Sequence, residues 1–305
     1  MTNLLLFIYA FFAIVLENMA IFTFDLASVL IKINKNDGKR GNKMNKFDKL
    51  GLQLFTIRNF MQTEEDVRES FQKMRKYGYT QAQTARCGVS SEVLARLAKE
   101  EGIEIVGIHT SFDAMLKNVE QVIEDTLTVG STNMGIGGFH DFNSLDDVKR
   151  FIEQANDIAV KAAANGLKLT YHNHSHEFIR WGNNKTTMDM LVEGLDPNHT
   201  SFVLDTYWVQ HGGADVRYWI EKLAGRIDIL HLKDMKLIIV PDFVKPQRVQ
   251  QMTEIGAGNM NWELIIESAK KSGVKYYVVE QDNSWSVNCF ASIKASAEYL
   301  GKLMD

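Results

Sequence analysis

The sequence predicts one (β/α)8 barrel over residues 46–305, and three observations lead there. From Leu50 onward, short apolar runs alternate with longer amphipathic ones eight times. The short runs are continuous in apolar character, as strands buried on both faces must be. No glycine-rich dinucleotide fingerprint follows the first strand, which disfavours the rival doubly wound open sheet. Neither a linker nor a low-complexity tract marks a second domain.

Taken in order, "LGLQLF" (50–55) reads as the first strand, and Thr63 caps "EEDVRESFQKMRKYG", with acids early, bases late and Gly78 at the stop. "YTQAQT" is a weaker strand, followed by the capped helix "SSEVLARLAKEEG" ending at Gly102. "IEIVGIHTSF" (103–112) is a clear strand, and a helical run is expected from Met115 to Val129. "TNMGIGGF" reads as strand four, and the long helix "SLDDVKRFIEQANDIAVKAAANG" has Ser144 or Asp146 near its cap. The rest follows as "LKLTYHNH", "TTMDMLVEGL", "SFVLDTYW", "VRYWIEKLAG", "IDILHLKDM", an insertion, "NWELIIESAKKSG", "YYVVEQD" and a last helix from Phe290.

Residues 1–45 stand apart. "LLLFIYAFFAIVL" (4–16) is apolar, but it is shorter than the ~20 residues of a membrane helix and has no basic n-region or cleavage site. The segment is expected to be an upstream extension that the barrel does not need, Met44 being itself a possible start; a membrane anchor is the minor alternative. A formal charge of −4 offers no electrostatic footprint for nucleic acid or anionic lipid. Cys87 and Cys289 form no disulfide framework and no zinc-knuckle spacing, which suits a reducing cytoplasm.

In such a barrel the active site lies at the carboxyl ends of the strands. Those ends carry Gln53, His109, the stretch from His172 to Glu177, Asp205, His231 and Glu280. Each alone has a structural explanation, such as a cap, a packed histidine or an ion pair. Acid and imidazole after four consecutive strands, however, converge on one side of the barrel mouth. Carboxylates with a histidine, and no thiolate, suit one divalent cation such as Mn, Mg, Co or Zn. Such an ion can hold a carbonyl and its neighbouring hydroxyl and stabilise an enediolate, with flanking glutamates moving protons.

Several stretches give the chain a family resemblance. "LGLQLFTIR", "YHNHSHEF", "FVLDTYWVQHGGAD", "ILHLKDM", "EIGAGNMNW" and "YYVVEQD", in this order, resemble the sugar phosphate isomerase/epimerase family, the xylose isomerase-like TIM barrels. The resemblance covers Leu50 to the C-terminus and implies isomerisation, epimerisation, dehydration or eliminative cleavage of a sugar or polyol. It also implies metal ligation by Asp205, His231 and Glu280. The family's first ligand, a strand-five glutamate, is missing: Tyr171 and His172 stand there, and the nearest acid is Glu177. Glu177 is the expected ligand and acid/base partner of Glu280, with an imidazole of His172 or His174 as the alternative. His109, His172, His174, Trp208 and Lys233 are the expected substrate contacts, Lys233 equally suited to neutralising Glu280 or Asp234. Trp181 and Trp285 are weaker aromatic candidates. "GIGGFH" and "IGAGNM" match no phosphate-loop spacing.

The sequence thus points to a cytoplasmic, metal-dependent sugar isomerase or epimerase acting through a paired-glutamate acid/base. The alternatives are a dehydratase or lyase on a keto-sugar or polyol, and a catalytically silent sugar-binding barrel. The partner is a small sugar or sugar derivative, and self-association into a homo-oligomer is open. A DNA-repair barrel of the endonuclease IV type is disfavoured by the charge and by the shortage of further ligands.

Overall fold

The computed structural model describes residues 49–182, 184–241, 245–283 and 288–303. The N-terminal extension and Trp285 lie outside them. Strands β1 (Leu50–Gln53), β2 (Tyr79–Thr84), β3 (Glu104–Thr110), β4 (Asn133–Ile136), β5 (Lys168–His172), β6 (Thr200–Asp205) and β7 (Ile227–Leu232) run parallel in sequence order. Two further strands, β8 (Asp234–Val240) and β9 (Gln247–Thr253), form a separate antiparallel hairpin. β10 (Tyr276–Val279) then pairs with both β7 and β1 and closes the eight-stranded barrel.

The helices fill the connections: α1 (Glu64–Lys76), α2 (Ser91–Glu101), α3 (Phe112–Lys117), α4 (Val119–Thr128), α5 (Leu145–Ala164), α6 (Thr187–Gly194), α7 (Thr206–His211), α8 (Val216–Lys222), α9 (Trp262–Lys271) and α10 (Cys289–Leu303). Local chemistry sets their ends. Thr63 and Asp66 form a reciprocal capping box on α1, and Ser144 caps α5. Gly102 ends α2 in the left-handed region, at φ 69°. The single helix expected from Met115 to Val129 is two helices: Asn118, at φ −157° and ψ 80°, breaks the chain and its side chain caps α4. The insertion after strand seven is the β8–β9 hairpin, and Trp208, an expected substrate contact, sits on α7.

The main core lies between the barrel and its helices. Inside the barrel, Val203, Ile229 and Val278 pack together on β6, β7 and β10. Side chains on a strand alternate faces, so the inward positions two residues further on are Asp205, His231 and Glu280. Register agrees, because Asp205 lies beside His231 across β6 and β7, and Glu280 N donates to Leu232 O. Apolar burial below therefore aims three polar groups at the mouth. Among the described residues, no helix is long and apolar enough to cross a membrane.

Candidate active site

At the mouth, His172, Asp205, His231 and Glu280 are all buried, and each offers one ligand atom within 4.8 Å of the others. Asp205 divides its oxygens. Oδ1 accepts from Trp208 N at 2.9 Å and caps α7, while Oδ2 faces His172 Nε2 at 3.3 Å and His231 Nδ1 at 3.7 Å. His231 Nδ1 also lies 2.9 Å from Glu280 Oε2. The Asp205 backbone is pinned by its N–H donating to Asn173 Oδ1 at 2.9 Å.

A chain of amides orients the imidazoles. Phe55 N donates to Gln53 Oε1, which directs the Gln53 amide nitrogen toward Gln83 Oε1 at 3.0 Å and His109 Nδ1 at 3.2 Å. Gln83 Oε1 also meets His231 Nε2 at 2.5 Å. An oxygen only accepts, so this network assigns the His231 proton to Nε2 and turns Nδ1 into the cluster. His172 is fixed in the same way, with Nδ1 donating to Gly137 O at 3.1 Å and Nε2 turned to Asp205. In neutral imidazoles, both inward nitrogens are lone pairs aimed at carboxylates. Acceptor then faces acceptor, which only a cation or a proton between them makes favourable.

Lys233, two residues beyond His231, answers part of this charge. Its buried ammonium lies 3.0 Å from Asp205 Oδ2, 2.7 Å from Glu280 Oε2 and 3.1 Å from Asp282 Oδ1. Burial opposes its charge, but these three carboxylates hold its pKa well above the ordinary lysine value. Conversely, burial would raise Asp205 and Glu280, yet Lys233 together with the His172 and His231 imidazoles outweighs it and both carboxyls stay well below the usual range. Burial lowers His231, but Glu280 and Asp205 more than restore it, so the cluster draws positive charge to this imidazole. Asp282, at the edge, is pushed up by burial despite Lys233.

Glu177 is not in the cluster. A short turn at His176–Phe178 draws its carboxylate inward, where Oε1 accepts from the Tyr171 hydroxyl at 2.7 Å and Oε2 from His174 N at 2.9 Å. His172 fills the strand-five position. His174 lines the cavity, and burial followed by its neighbours His172 and Lys233 pushes its pKa down to about 2. Gly138 makes room for it, since a Cβ there would meet His174 Cε1 at 2.6 Å. His109 also lines the cavity; burial and the neighbouring imidazoles hold it neutral, and its Nε2 has no partner among the described residues. Trp208 packs 5.3 Å from the His174 ring, whereas Trp181 donates to Thr187 Oγ1 and packs on the core. The cavity measures about 720 Å³ and is lined by Lys233, Glu280 and Asp282 as well.

The sequence assigns no role to Gln83 or Asp282, and names Asn173 only as part of the stretch ending strand five. Asp282 stood in plain view two residues after Glu280, but the amides carry no charge and mark nothing until the fold is closed.

A closed (β/α)8 barrel with acid and imidazole clustered at the strand ends defines a class of barrel with a candidate cation site. The profile of the xylose isomerase-like TIM barrel matches residues 67–303, and the chain belongs to that family. An inosose dehydratase of Geobacillus thermodenitrificans is 24% identical over 158 residues, 49% of this chain and 52% of that protein, so the match spans about half of the relative's length. A sugar phosphate isomerase/epimerase structure from Parabacteroides distasonis superposes with a TM-score of 0.70 at 22% identity, covering 87% of this chain and 97% of that one. The IolI protein, solved with a bound zinc atom, superposes with a TM-score of 0.61 at 14% identity over 84% of this chain and 97% of its own. The two superpositions speak to the fold.

Proposed function

We propose that the chain is a divalent-metal-dependent enzyme that takes a proton from the carbon beside the carbonyl of a keto-sugar or keto-polyol and completes an elimination. The observation that carries this reading is the position of Glu177. With its carboxylate bonded to Tyr171 and to the His174 backbone, the second glutamate that would return a proton from the opposite face is not at the cluster. Epimerisation needs that second acid/base on the opposite face, whereas elimination needs only one base at carbon and a proton for the leaving oxygen. A curated relative named as a dehydratase supports the same choice.

The donor set fits a divalent cation, because two inward imidazole nitrogens and two carboxylates meet and His231 Nδ1 has no hydrogen-bond partner among the described residues. His172, Asp205, His231 and Glu280 would hold the ion, which would polarise the substrate carbonyl and stabilise negative charge beside it. The chain's own groups do the rest. Glu280 accepts the proton from carbon, and the electron pair released forms the double bond as the β-oxygen departs. Asp282, paired with Lys233 at rest and made easier to protonate by burial, donates to that oxygen once it has taken up a proton, so that the β-hydroxyl leaves as water. His109 Nε2–H points a free donor at a substrate oxygen, and the Lys233 ammonium remains a fixed positive charge.

Incubating Mn²⁺-loaded protein with an inosose in deuterated buffer tests this. Growth of enone absorbance is the expected result. Deuterium entering unchanged or isomerised substrate without enone would replace elimination by isomerisation, and neither signal would remove the reading for this substrate class. Glu280→Gln is expected to lower turnover by at least ~100-fold. For the ligand set, His172→Phe should weaken Mn²⁺ binding by ~100-fold or more, while Glu177→Gln keeps stoichiometric metal. Calorimetric titration that reversed this order would return the ligand role to Glu177.

A further inference from the structure

The cavity carries a second charged feature, which the proton chemistry above does not use. We propose that the rim formed by Phe55, Arg58 and Arg86 binds an anionic substituent, a carboxylate or phosphoryl group, on the substrate away from the reacting carbonyl. This names the substrate class of the site and rests on the elimination reading.

Arg58 follows β1, and Nη1 donates to Phe55 O at 2.8 Å and Asp282 O at 3.0 Å. Two backbone carbonyls thus hold the guanidinium in place, 4.1 Å from the centre of the Phe55 ring. Its Nη2 and Nε hydrogens have no hydrogen-bond partner among the described residues. Arg86 follows β2 and brings a second guanidinium to 5.2 Å from the same ring. Its φ of 52° lies in the left-handed region, which a non-glycine residue adopts only where its surroundings enforce it. Both arginines line the cavity, and neither has an ion-pair partner among the described residues.

The contrast with Lys233 is informative. That cation faces three carboxylates and has no charge to spare for a ligand. Both arginines pack on the Phe55 ring, carry like charge and offer only donors. A neutral polyol would leave both charges unanswered. A carboxylate or phosphoryl oxygen pair would answer that charge and accept the fork of N–H groups left open on Arg58.

Equilibrium titration of the full chain with D-glucose, D-glucuronate and inorganic phosphate, with and without Mn²⁺, provides the test. D-Glucuronate is expected to bind at least ~10-fold more tightly than D-glucose, a preference that shrinks as salt is added. Arg86→Gln, at an exposed position, and Arg58→Gln should each bring that preference close to unity without moving Mn²⁺ affinity. Competition by phosphate that exceeds D-glucuronate would assign the rim to a phosphoryl group. Equal affinity for charged and neutral sugar, or binding of no probe, would overturn the rim proposal even where Mn²⁺ binds normally. A retained charge preference in a protein that binds no Mn²⁺ would overturn the metal reading and leave the rim standing.

Discussion

Lys233→Met is expected to cost the metal-free protein about 3–5 kcal/mol, because it leaves three buried or nearly buried carboxylates facing each other with no cation. Asp205, Glu280 and Asp282 all reach the same ammonium within 3.1 Å, and once it is gone only the neighbouring imidazoles of His172 and His231 can answer part of the charge on Asp205 and Glu280. Urea unfolding in the presence of a chelator measures the loss. The direction with pH also follows. In the wild type, Asp205 and Glu280 sit below their unfolded pKa values, and the stability they give at neutral pH is lost as pH falls through the folded values. Without Lys233, burial raises both, so the variant gains stability as pH falls toward ~4 and the gap narrows. Saturating Mn²⁺ should return about 3 kcal/mol at a hundredfold excess over Kd, since the ion replaces the missing charge. A variant as stable as wild type in chelator would show that the carboxylates do not depend on Lys233.

The second large effect is expected at Asp234, outside the cavity. Its buried carboxylate accepts from Met235 N, Gly256 N, Gly258 N, Met260 N and Trp262 Nε1, at 2.7 to 3.3 Å. The glycine-rich "IGAGNM" stretch thus wraps an internal aspartate. Gly258 is required there, because a Cβ would come within 2.2 Å of Asp234 Oδ1. Asp234→Ala removes every acceptor at once and should cost about 3–4 kcal/mol, close to 10 °C in Tm for a domain of this size. Hydrogen exchange at Gly256 and Gly258 should rise in step. A loss below ~1 kcal/mol with protection retained would mean that water serves these donors equally well.

The barrel was legible because its strands are apolar throughout and its helices carry their own caps, and both signals are local. Asp205, His231 and Glu280 were legible because each ends such a strand. Position 172 was harder. The residues from His172 to Glu177 continue past the end of β5, and the turn at His176–Phe178 decides which of them reaches the cluster. Polar type and alternation are the same whether or not that turn forms, so the choice between Glu177 and His172 depends on the Tyr171 hydroxyl, a contact six residues back along the chain. The amide relay through Gln53 and Gln83 joins β1 to β2 and β7, and pairing of that range leaves no local mark. Asn118 hid inside a periodic apolar run, where a cap looks like one more polar residue on the outer face.

The division of Asp205 between two tasks has an optical consequence. One of its oxygens fixes the first turn of α7 while the other faces the cluster, so whatever draws on the second is felt at the first. That turn carries Trp208, whose indole stands beside His174 and 5.4 Å from the Lys233 ammonium. Neighbouring ammonium and imidazole groups alter indole emission. On the metal reading proposed above, Trp208 would therefore serve as a fluorescent gauge of occupancy, placed by the same carboxylate that it reports on.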